Sequence, residues 1–133
     1  MKDFFRNLTY DKRYDENSFI GILLDYLEWS DEEYLKLEND LIYILKKYKN
    51  KPLPKKLMRG LVWILNGNLY THGTGICKVK KKYKNIKQNK YFTPISEPTI
   101  EDRLRKLKTL ILCIAYNDDT FFYRDFLYSY DKK

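Results

Sequence analysis

The stretch FFRNLTYDKRYDENSFIGILLDYLEWSDEEYLKLENDLIYILKKY, Phe4 to Tyr48, decides how this chain is read. Two helices and the stop between them are written into it. Phe19, Ile20, Leu23, Leu24 and Leu27 recur at the spacing of one buried helical stripe, and Asp15 or Asn17 stands where an N-cap is needed. This predicts a first helix over residues 17–28. Ser30-Asp31-Glu32-Glu33 then has the form of a capping box: the Ser30 hydroxyl accepts from the Glu33 amide, and the Glu33 carboxylate accepts from the Ser30 amide. A second helix over 31–48 follows, with the stripe Tyr34, Leu37, Leu41, Ile44, Leu45 and Tyr48. Acids fill its first turn and Lys46, Lys47 and Lys49 its end, which suits the helix dipole at both termini.

Working outward, Lys51-Pro52-Leu53-Pro54 ends the second helix, and Pro54 suits the first position of another. A third helix is expected over 55–66, with Leu57, Leu61, Ile64 and Leu65 on one side and a stop at Asn66-Gly67-Asn68. From about 69 to 95 the periodicity fails. Gly73, Gly75 and a lysine-rich run predict a long irregular insertion. Order returns at Thr99, which with Asp102 forms a second box and opens a helix over 100–116, with Leu104, Leu107, Leu110, Ile111 and Ile114 on its apolar side. Asn117-Asp118-Asp119-Thr120 breaks it and caps a last short helix over 120–130. The expectation is therefore an all-α fold, one compact five-helix domain spanning residues 1–133.

At 133 residues the chain is long enough to bury roughly two thirds of its unfolded surface, and 44% hydrophobic and 17% aromatic content supports a packed core. Met1-Lys2-Asp3 leads into no apolar h-region and no apolar run approaches membrane-spanning length, so a cytoplasmic protein without membrane attachment is expected. Cys77 and Cys113 stand apart with no CxxC or Cys/His cluster, as reduced cytosolic thiols do. Net charge is +8, unevenly spread. Residues 1–50 carry 8 basic and 11 acidic side chains, residues 51–93 carry 11 basic and no acidic ones, and residues 94–133 carry 7 of each.

Three motifs within the opening stretch, FFRN-TY, YDENSFIG-L-D and EWSDEEYLKLENDLI, resemble the start of an immunity-protein family from bacterial polymorphic-toxin and contact-dependent-inhibition systems. The likeness covers residues 4–50. It implies a mostly helical fold, a cognate toxin domain as partner, and protection of the producing cell by binding that toxin. It brings no catalytic residues with it.

The residues themselves weigh the other chemistries. The lone histidine, His72, lies in Tyr70-Thr71-His72-Gly73-Thr74-Gly75, which lacks the spacing of a P-loop or a dinucleotide fingerprint. With no nucleophile, acid–base or metal constellation in sight, neither enzyme activity nor a cofactor is expected. Nucleic-acid binding is the rival reading. Lys78, Lys80, Lys81, Lys82, Lys84, Lys87 and Lys90 could meet phosphates while Tyr83 stacks a base. Lysine outnumbers arginine 20 to 6, however, whereas recognition of bases and phosphates favours arginine's planar fork. A protein partner fits better, because thirteen tyrosines exceed what one core needs. Two surfaces are candidates. The acidic helix junction offers Asp25, Tyr26, Glu28, Trp29, Asp31, Glu32 and Tyr34, with Asp25, Glu28 and Asp31 expected to face outward, a match for the basic groove of a nuclease toxin. The lysine-rich segment would serve instead if the toxin is acidic.

Overall fold

The apolar stripes predicted above fold inward where the structure describes them. In the computed structural model, which describes residues 1–26, 28–69, 78–80 and 100–117, the α-helices are α1 (Phe19–Tyr26), α2 (Asp31–Lys47), α3 (Lys55–Trp63) and α4 (Ile100–Tyr116). The chain is mostly helical. Among the described residues there are four α-helices, and the fifth expected helix, over 120–130, lies outside them. Phe19, Ile20 and Leu23 of α1, Tyr34, Leu37, Leu41 and Ile44 of α2, and Leu57 and Leu61 of α3 join Leu104, Leu107, Leu110, Ile111 and Ile114 of α4 in one buried cluster.

α2 and α4 run side by side in the same direction. Tyr34 Oη, at the start of α2, donates to the Arg103 carbonyl at the start of α4 (3.3 Å). At the far ends the Asn50 amide donates to Asn117 Oδ1 (2.9 Å). Both asparagines hold positive φ, 59° and 53°, the left-handed geometry that closes a helix, so the predicted stop at Asn117 is where α4 ends.

The N-terminal segment is pinned onto this pair. Phe5–Asn7 forms a 3-10 turn, and Asp40 Oδ2 of α2 accepts from the amides of Asp3 and Phe4, both at 2.8 Å. α3 closes over the turn at Gly60. A Cβ there would meet Leu8 Cδ1 and the Phe4 ring at 2.9 Å, so the helix comes this near only because residue 60 has no side chain.

Four local features depart from the sequence reading. α1 starts at Phe19 because Ser18, rather than Asp15 or Asn17, caps it: Ser18 Oγ accepts from the Gly21 amide (3.1 Å), and the next amide back, Ile20, donates to Asn7 Oδ1 (2.9 Å). Asp15 is drawn away to Arg6 and to the Asn17 amide. The first helix does not reach 28, since Glu28–Ser30 is a strand, β1, paired in parallel with β2 (Lys78–Lys80). The mostly helical structure is compatible with the all-α expectation, to which this one short pair is an addition, and the insertion expected to be irregular contains β2. Finally, α3 does not stop at Asn66 but widens into π-helical turns over Ile64–Leu69. Apart from Leu69 and β2, the expected insertion lies outside the described residues.

Candidate functional site

The acidic junction is built from the turn where β1 runs straight into α2. Ser30 is the N-cap, its Oγ accepting from the Glu33 amide (3.3 Å), as the capping box requires. The returning half of the box gives way to ion pairing. Glu33 Oε2 accepts from Arg6 Nη1 (3.2 Å) and Oε1 from Lys36 Nζ (3.0 Å). Arg6 also reaches Asp3 (2.8 Å) and Asp15 (2.9 Å). Burial on its own would lower the Arg6 pKa, but these three carboxylates outweigh it and hold the group above its ordinary value.

Trp29, Asp31 and Tyr34 turn inward, which corrects the expectation that Asp31 faces solvent. Trp29 and Asp31 are 0% exposed and Tyr34 is 1% exposed. Trp29 Nε1 donates to Asp31 Oδ1 (2.7 Å), and the same oxygen lies 2.7 Å from Arg103 Nη1 of α4, itself buried. The Trp29 ring packs edge-on against Phe19 (4.9 Å between centroids) and lies tilted beside Tyr34 (5.4 Å). Burial pushes the Tyr34 phenol well above its ordinary pKa, so it stays a donor. The physical reason for the inward turn is Arg103. A buried cation needs a buried anion, and Asp31 at the start of α2 supplies it. A second pair sits further along, with Glu38 Oε1 3.9 Å from Lys106 Nζ, both buried.

Of the remaining junction residues, Glu28 and Glu32 are half-buried. The backbones of Asp25 and Tyr26 end α1, and their side chains lie outside the described residues. In the basic segment, Lys78 and Lys80 belong to β2, whose backbone register sets Lys78 beside Glu28 and Lys80 beside Ser30. The two oppositely charged stretches, about fifty residues apart in sequence, are thus joined at the backbone. Lys81, Lys82, Tyr83, Lys84, Lys87 and Lys90 lie outside the described residues, as do Cys77 and His72. Cys113 is a buried free thiol. No group of three or more His, Cys, Asp or Glu among the described residues is placed to hold a metal. No helix among them is long and apolar enough to cross a membrane.

A third surface was missed by the sequence reading. The 3-10 turn and the loop after it pack against α3 and leave a groove of about 630 Å³ lined by Phe5, Leu8, Tyr10, Asp11, Lys12, Lys55, Lys56 and Arg59. Cations sit on the rings of its walls. Arg13 lies 3.6 Å above the Phe5 centroid, Arg59 lies 4.3 Å above Tyr10, and Tyr10 meets Trp63 edge-on at 5.8 Å. Asp11 is bound by Arg13 through two bonds, 2.8 and 3.0 Å, which hold its carboxyl down to about 2. The signal for half of this surface was present: Lys55, Lys56, Arg59 and Val62 fall on the outer side of an otherwise apolar helix. The other half, Tyr10 to Arg13, comes from a turn with no periodicity.

Taken together, the arrangement is a helical scaffold braced by Asp3, Asp15, Asp31, Glu33 and Asp40, with cations gathered at the groove. The Immunity protein 41 family model matches residues 6–126, well past the opening motif. The chain belongs to this family of immunity proteins from toxin systems. Neither the curated proteins nor the solved structures contain a match.

Proposed function

We propose that the protein neutralises one cognate bacterial toxin by direct, tight binding, without catalysis, in the cytoplasm of the cell that makes both. The observation that carries this reading is the family match over residues 6–126. The scaffold supports it. Helices held by a common core and by ion pairs between α2 and α4 arrive at a partner already ordered, which lowers the entropy lost on association. The rival nucleic-acid reading draws on the lysine-rich segment, most of which lies outside the described residues.

The test is protection. Co-expression with the toxin domain encoded beside this chain should restore growth, and co-expression with unrelated toxin domains should not. Growth arrest despite abundant folded protein removes the proposal. Binding of random single-stranded nucleic acid at physiological salt, weakening steeply as salt rises, would promote the rival.

A further inference from the structure

The groove between the N-terminal turn and α3 has a floor of core residues, Phe5 and Leu8, and a charged rim whose chemistry specifies an occupant. Five cations, Lys12, Arg13, Lys55, Lys56 and Arg59, surround one acid, Asp11. Arg13 already satisfies that acid. Among the described residues no carboxylate pairs with Lys12, Lys55, Lys56 or Arg59. This contrasts with Arg6 on the same segment, which holds three carboxylates. The unmet positive charge therefore belongs to the groove and not to the segment in general.

The groove also carries what a protein contact needs. Tyr10 is 39% exposed, and Trp63 braces it from the side. Tyr, Trp and Arg are the residue types that dominate binding energy at protein interfaces. Arg59, held over the Tyr10 ring, is pre-positioned and loses little freedom when its fork meets a carboxylate. Nucleic acid fits less well. Stacked bases require open ring faces, whereas the Phe5 ring is capped by Arg13 and the Tyr10 ring by Arg59.

We propose that this groove is the face that engages the toxin, and that it takes an acidic segment of that protein, with Arg59 and Lys56 meeting its carboxylates and Tyr10 giving the apolar contact. This rests on the reading of the chain as a toxin-binding protein.

The experiment is the binding of the purified toxin domain to the wild-type chain, to Lys56→Glu/Arg59→Glu and to Arg59→Lys, at low and at physiological salt, with each melting curve recorded. Both side chains are exposed, so the melting curves should coincide. The double reversal should weaken binding by roughly tenfold or more at low salt, with most of the loss in association rate. Arg59→Lys should fall between, keeping the charge and losing the fork. If the wild type binds and the double variant binds equally well with an unchanged salt dependence, the groove is not the interface and toxin binding stands. If the folded wild type does not bind the toxin, toxin binding falls and this assignment with it. Wild-type dimerisation that the reversal abolishes, or single-stranded nucleic acid captured by the groove, would overturn the acidic-segment assignment in favour of that occupant.

Discussion

Two charged regions of this molecule look alike as sequence and differ in what the fold does with them. The acidic junction, Glu28 to Tyr34, and the basic groove, Tyr10 to Arg13 with Lys55 to Trp63, both interleave charges with aromatic residues. In the junction the aromatics and Asp31 face the core, where Asp31 meets a buried Arg103 across α2 and α4. In the groove Arg13 and Arg59 lie on ring faces, and among the described residues no carboxylate pairs with Lys12, Lys55, Lys56 or Arg59. Charge density alone does not mark a docking surface. On the proposal made for the groove, the mark is counter-charge that the chain itself does not supply.

The strongest way to break this comparison is at Asp31. Asp31→Ala strips the partner from a buried guanidinium and from the Trp29 N–H, and should cost about 3–5 kcal/mol in urea unfolding. Asn39→Ala, exposed on the same helix, should change stability by no more than about 0.5 kcal/mol. Equal effects would mean that the junction is solvated and Asp31 faces outward after all. A smaller effect tests the local cap. Ser30→Ala removes the acceptor for the Glu33 amide and should lose about 1 kcal/mol, and no loss would place the start of α2 elsewhere.

The smallest effect is read as a slope. Burial raises the Glu38 carboxyl above its ordinary 4.5, with Lys106 and Arg103 pulling it back. The folded state then holds this proton more tightly than the unfolded chain does. The contribution of Glu38 to stability is therefore greatest below pH 4.5 and declines as pH rises through the raised folded value. Glu38→Gln should flatten that part of the stability profile in denaturation series run from pH 4 to 8. An unchanged profile would show that Glu38 titrates normally and that the α2–α4 seam is wetter than its geometry indicates.

Much of the scaffold was legible because its signals are local. The spans of α2 and α4 follow from stripes such as Leu104, Leu107, Leu110, Ile111 and Ile114 and from the caps at Ser30 and Asn117, all within a few residues of the helices they bound. What was missed depends on partners far along the chain. β1 exists because Lys78–Lys80 pairs with it, and no pattern within Glu28-Trp29-Ser30 announces a strand. Asp31 reads as a first-turn acid, and only Arg103, 72 residues later and itself ordinary in an amphipathic helix, turns it inward. Ser18 replaced Asp15 as the α1 cap because Arg6 competes for the aspartate. The groove was the hardest to see, since it forms only where Gly60 lets α3 approach Phe4 and Leu8.

The central claim is that this chain silences a toxin by occupying it, and the most direct measurement is a titration of purified toxin activity with the purified protein. The account predicts that activity falls in proportion to added chain and reaches its floor near molar equivalence, with both proteins recovered unmodified in one complex. Full toxin activity in excess chain, or inactivation by a small catalytic fraction of it, would contradict the account.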